Sequence, residues 1–170
     1  MNDAKELLRK EAKGIQQACL IAAEEHYAAE TPWFNARHWL GIPLALLSAV
    51  ASAAAFSKIN HSEILAGVIS LMVAVLTALS SFLAPDKQAN EHHKFAKDYE
   101  RLYNEAGYFF RVESVISQAD QTKLEEKLNA LKTKFDDLNH SRPGITGKAY
   151  KVAAENIKNN TGEVIRVIEE

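Results

Sequence analysis

"WLGIPLALLSAVASAAAF", Trp39 to Phe56, runs eighteen residues without a charge in a chain whose mean hydropathy is slightly negative. Seven residues further on, "ILAGVISLMVAVLTALSSFLA", Ile64 to Ala84, does the same over a slightly longer stretch. As helices they reach about 27 Å and about 31 Å at 1.5 Å per residue, against a hydrocarbon core of about 30 Å. A bundle helix in water keeps charges opposite its apolar stripe, and neither stretch has a charge on any face. The competing arrangement is an apolar hairpin buried inside a soluble shell. With 170 residues in all, little chain is left to cover two helices that are apolar all round. The expectation is a pair of membrane spans, at about 39–56 and 64–84, joined by the short loop "SKINHSE".

The rest of the chain is polar. Its formal net charge of −2 gives no global basic field for nucleic acid. The charged, amphipathic residues 1–30 are wrong for the apolar region of a signal peptide. A lone cysteine, Cys19, excludes an intramolecular disulfide framework and sits among apolar neighbours, so it reads as core. Lys87, Lys94, Lys97 and Arg101 follow the second span, while the loop holds only Lys58. This bias places both termini on the cytoplasmic side.

Residues 3–30 read as one amphipathic helix with a seam through Leu8, Ala12, Ile15, Cys19, Ala22 and His26. Thr31-Pro32 predicts a fresh helix start that brings Trp33, Phe34, Arg37, His38 and Trp39 to an interfacial belt. Pro43 predicts a bend near the membrane surface. After Pro85 a polar helix carries a seam through Ala89, His92, Ala96, Tyr99, Tyr103, Ala106 and Phe110. The phase is lost around "SQADQTK", and Leu124, Leu128, Leu131, Phe135 and Leu138 start a second register. Either one helix stutters there or the chain turns back as a hairpin; the turn is favoured. "NHSRPGITG" reads as a loop, Tyr150, Ala154 and Ile157 as a short helix ended by "NNTG", and "EVIRVIEE" as a last short element.

No catalytic constellation is present, and no cofactor or metal is expected. Adjacent His92 and His93 point about 100° apart on a helix, cannot share one metal, and read as surface or interface residues. "GITGK", Gly144 to Lys148, has its glycines too close for a phosphate loop and no Ser or Thr after the lysine. Asn60-His61-Ser62 and Asn159-Asn160-Thr161 match the short glycosylation pattern, as many chance triplets do.

The order of elements carries a resemblance. An N-terminal helix leads into "WFNARHWLGIPLALLSA", then a short loop and a second span. "ANEHHKFAKDYERLYNEAGYF" and a Pro-containing loop before "AYKVAAENI" complete it. Over about residues 5 to 158 this resembles the SLATT family, two-transmembrane effectors of prokaryotic conflict systems. The resemblance implies a non-enzymatic effector in the bacterial cytoplasmic membrane. Its partner would be a nucleotidyltransferase, or that enzyme's nucleotide or oligonucleotide product. Its implied action is to form pores and stop the growth of an infected cell. The fold class expected is an all-α membrane protein: an N-terminal amphipathic helix (1–30), a two-span hairpin (31–85) and a cytoplasmic helical region (86–170).

Each span also carries a stripe of small or hydroxyl side chains. In the second it is Gly67, Ser70, Ala74, Thr77 and Ser81; in the first, Gly41, Ala45, Ser48 and Ser52. Small stripes let helices approach closely in lipid. Two helices packing on each other is the plain reading of both, and a pore lining the sharper reading of one. The second span's stripe is assigned to the conduit and the first span's to hairpin packing. One hairpin cannot enclose a passage, so a homo-oligomer is implied, with a tetramer as the first expectation. For an anionic signal the cations that stand out are Arg142, Lys148 and Lys151, in a segment whose only acid is Glu155. The rival functions are a non-conducting membrane-anchored scaffold that recruits a cytoplasmic enzyme, and a transporter subunit. The second is disfavoured because neither span holds an ionisable residue.

Overall fold

The computed structural model describes the backbone of residues 2–57, 62–114 and 120–169, with the side chains of those from 4 to 159. The loop residues Lys58, Asn60 and His61, the first three residues of "SQADQTK" and the side chains of "EVIRVIEE" lie outside that set. Five α-helices follow one another: α1 (Asn2–Phe56), α2 (Ser62–Leu83), α3 (Pro85–Tyr108), α4 (Gln121–Ser141) and α5 (Gly147–Glu169). Among the described residues there is no strand. The chain divides into two compact units, Met1–Ala29 with Glu91–Glu170, and Glu30–Asn90.

The helix start expected at Thr31-Pro32 does not occur, because α1 runs through both Pro32 and Pro43. A proline's fixed φ is a helical one, so where the flanks are held in helix the ring removes a hydrogen bond and crowds the preceding turn without ending the helix. Pro85, by contrast, does mark a boundary. The residue before a proline is pushed out of the right-handed helical region, and Ala84 takes a φ of 42°. Its N–H still reaches the Ser80 carbonyl at 3.0 Å, and its own carbonyl accepts from Lys87 and Gln88. A left-handed residue therefore separates the second apolar helix from the polar one.

In the first unit most seam residues enter the core: Ala12, Cys19 and Ala22 of α1 with Tyr99 and Ala106 of α3 and Leu124, Leu128 and Leu131 of α4. Leu102 of α3 and Phe109 just beyond that helix, however, take the buried places expected of Tyr103 and Phe110, which are only partly buried. The small residues of α1 face bulkier ones on α3 and α4, which lets the helices interlock. Pairings fix the direction. His26 meets His92 while Arg9 stacks on Phe110, so α1 and α3 are antiparallel. Tyr99 meets Asn139, Glu105 meets Lys134 and Glu113 meets Lys127, so α4 runs back along α3. The loss of phase is thus the turn of a helical hairpin and not a stutter.

α3 ends in a π-helical turn, Phe109–Glu113, with the Ser114 N–H on the Phe109 carbonyl. The wider turn brings Phe109 fully inside and leaves Phe110 at the edge under Arg9. Asp120 caps α4 by accepting from the Thr122 N–H at 3.1 Å. At the other end Pro143 holds Arg142 extended and stops the helix. Two expectations for the C-terminal region change. α5 does not end at "NNTG" but continues to Glu169, and its inner face is Ala149 and Ala153, with Tyr150 and Ala154 exposed.

In the second unit each apolar helix has one narrow face that is buried or partly covered. On α1 this is Leu40, Leu44, Leu47, Ala51 and Ala54; on α2 it is Ser62, Ala66, Ile69, Val73, Leu76 and Ser80. Both sets alternate by four and three residues, the spacing of a left-handed helix pair. Apart from the partly covered Pro43 and Ser48, everything else on these stretches faces outward. Trp39 is 79% exposed, Phe56 90% and Phe82 86%, and Ile42, Leu46, Ile64, Leu71, Met72 and Val75 are exposed with them. The two helices are long and apolar enough to cross a membrane, and their most apolar windows are almost wholly uncovered by the rest of the chain.

Candidate functional site

The small-residue stripe of α2 lies beside the hairpin seam, not in it. Gly67, Ser70, Ala74, Thr77 and Ser81 are all exposed, one position on from Ala66, Ile69, Val73, Leu76 and Ser80. No atom outside its own helix backbone and chain neighbours comes within 4 Å of where a Cβ on Gly67 would stand. Thr77 donates its hydroxyl proton to the Val73 carbonyl at 2.8 Å. The hydroxyl is then satisfied within the helix, and its remaining lone pairs can accept from water. Such a side chain borders lipid, another helix or an aqueous passage equally well.

The first helix departs from the expected packing. Gly41, Ala45 and Ser52 are exposed, and of that stripe only Ser48 is partly covered, donating to the Leu44 carbonyl at 2.7 Å. The hairpin is closed by leucines and alanines one position away. Leu44, Leu47, Ile69 and Leu76 offer more contact area than a glycine can, and dispersion contact is what holds apolar helices together. Both small stripes are therefore left for other contacts.

One end of this hairpin carries polar chemistry. Arg37 Nε lies 3.2 Å from Asp86 Oδ1, and His38 Nδ1 lies 2.9 Å from the Phe34 carbonyl, next to Trp39. Charges and aromatic rings at the end of an apolar stretch are what a membrane–water boundary favours.

The three cations singled out for an anionic ligand are not alike. Lys148 and Lys151 are exposed on the first turns of α5. Arg142 points inward: its Nη1 is 3.6 Å from Glu25 Oε2, with side-chain exposures of 31% and 11%. Burial raises the Glu25 carboxyl above its usual range, and the nearby guanidinium offsets part of that. No described contact joins Arg142 to either lysine.

Beneath Arg142 lies a polar cluster that the sequence reading misses. His26 is fully buried and His92 nearly so, with their Nδ1 atoms 3.1 Å apart. The His26 ring stacks against Phe95 and Tyr99, at 5.5 and 5.7 Å between centroids. Burial, then His92, then Arg142 lower the His26 pKa to about 4, so the ring is neutral at pH 7. Its Nε2 is buried with no hydrogen-bond partner. Tyr99 donates to Asn139 Oδ1 at 2.9 Å, and burial pushes its phenol up to about 12. His92 is therefore a core residue and not a surface one, while His93 is exposed and edge-on to Tyr27. The signal was available, since His26 and His92 both fall on seam positions. Among the described residues no group of three or more His, Cys, Asp and Glu is placed to hold a metal.

In comparisons with protein-family models, curated proteins and solved structures, nothing matches this chain.

Proposed function

We propose that this protein is the subunit of an oligomeric pore-forming effector in a bacterial cytoplasmic membrane. The observation that carries the reading is the pair of apolar helices that cover one thin seam and leave most of their remaining surface exposed. Large apolar area in contact with water is costly, about 25 cal/mol per Å2, and lipid removes that cost for the leucine, valine and phenylalanine faces. The α2 stripe is a different surface, small and hydroxyl-bearing, and neighbouring copies line a passage with it. Both termini lie in the cytoplasm, as the lysines after the second span and the Arg37–Asp86 pair at the open end of the hairpin support.

The resemblance to the SLATT family supports placing this pore in antiviral defence. There a nucleotide or oligonucleotide from a partner nucleotidyltransferase gates it, and opening depolarises the cell and arrests growth. The exposed Lys148 and Lys151 of α5 are where such an anion meets the chain, while Arg142 acts through its pairing with Glu25.

The test is overexpression in a bacterium loaded with a potential-sensitive dye. Some open population exists even without the signal, so the expected result is depolarisation followed by growth arrest. Cells that keep their potential while the protein sits in their membrane fraction contradict the reading and leave the scaffold.

A further inference from the structure

The polar cluster of the helical bundle is costly to maintain. A neutral imidazole has one N–H and one bare nitrogen, so the 3.1 Å contact between the two Nδ1 atoms needs one ring as donor and the other as acceptor. His26 is left with a buried, unpartnered Nε2 in either tautomer, and a buried polar atom without a partner destabilises the fold. A pair of leucines would fill the same volume without that penalty. What the histidines add is sensitivity to protons.

Neutral rings suit this environment and charged ones do not. Doubly protonated, the two Nδ1–H groups would point at each other across 3.1 Å. The charged and titratable groups that reach His26 are His92 of α3 and Arg142 from the segment after α4. Glu25 stands next to it on α1 in contact with Arg142, and Tyr99 stacks on it from α3. A charge on His26 thus loses its hydration and meets the Arg142 guanidinium, while the Glu25 carboxylate beside it is already paired with that arginine.

We propose that the His26–His92 contact is a pH-sensitive clasp, holding α1 against α3 while both rings are neutral and loosening that end of the bundle on acidification. The sign follows from proton uptake. The opened chain takes up a proton on His26 below about pH 6.5, whereas the closed bundle does so only near pH 4. Between these limits the open state binds more protons, so closure weakens as pH falls, by up to about tenfold per pH unit. Glu25 works in the opposite sense: burial has raised its pKa, so acid favours its buried form. A test must therefore separate the histidines from the carboxylate.

The experiment is amide hydrogen exchange on the full chain in detergent micelles from pH 7.5 to 4.5, corrected for the intrinsic rate. Exchange over 22–29 and 89–96 is expected to quicken by up to about tenfold per unit below pH 6.5, while 124–131 keeps its protection. In the doubly substituted His26→Leu/His92→Leu chain, which retains Glu25 and Arg142, that slope disappears. A wild-type slope in the double variant overturns the clasp. Should the variant fail to fold, imidazole NMR of the wild-type chain decides. A His26 ring that stays neutral below pH 5.5 and titrates together with the loss of protection supports the clasp. A ring that titrates near pH 6.5 with protection unchanged overturns it.

Discussion

Arg37 and Asp86 meet at 3.2 Å, joining a residue two positions before the first apolar stretch to one two positions after the second. The pair closes the open end of the hairpin and brings its entry and exit together. Both groups are well exposed, so the bond itself is weak. Arg37→Ala is expected to change stability by less than about 1 kcal/mol in detergent, and the charge exchange Arg37→Asp/Asp86→Arg to leave membrane insertion intact. A large loss of inserted protein from the single change would show that the pair does more than mark the boundary.

Topology gives a second expectation. A cysteine at Glu63, exposed at the start of α2, reacts with an impermeant thiol reagent added outside intact cells; one at Asn90 does not. The native Cys19 needs no removal. It is buried, and burial pushes its thiol pKa up to about 12, so almost no thiolate exists between pH 7 and 9. Mass spectrometry of the labelled wild-type chain should show no adduct until it is denatured. Equal protection at Glu63 and Asn90 would favour a buried hairpin.

The left-handed Ala84 gives a third. A positive φ costs an alanine about 1–2 kcal/mol that a glycine does not pay, so Ala84→Gly should stabilise the folded chain by up to about 1 kcal/mol in thermal unfolding, net of glycine's own entropy. Ala84→Val should do the reverse.

The bundle core gives a fourth. Leu128→Ala should cost about 2–4 kcal/mol by leaving a cavity between α4 and its neighbours. Tyr99→Phe removes the donor to Asn139 and should cost about 1–2 kcal/mol. Denaturant titration in a fixed detergent measures both.

The bundle was largely legible because its helices contrast polar with apolar faces. Cys19, His26, Tyr99 and Leu128 announce themselves by spacing, and the structure buries all four. The hairpin seam was not legible. Leu44, Leu47, Ile69 and Leu76 differ little in polarity from the leucines that face outward, so periodicity had no contrast to follow, and residue size pointed to Gly41 and Ala45 instead. On α5 the small Ala149 and Ala153 were overlooked beside the more conspicuous Tyr150. The His26–His92 pair was hidden for a different reason. Its members are 66 residues apart, and the adjacent His93 drew the reading of His92 toward the surface.

Single-channel recording in planar bilayers tests the conducting oligomer most directly. The full chain should give discrete current steps. Thr77→Leu, which places an apolar side chain on the exposed stripe of α2, should shrink them without changing the cross-linked oligomer. Ser48→Leu crowds the edge of the seam where Ser48 is partly covered, and should lower the yield of folded protein at a cost of about 1–3 kcal/mol. Steps that shrink with Ser48→Leu and not with Thr77→Leu would move the passage to the first helix, and a silent bilayer at every protein-to-lipid ratio would contradict the pore altogether.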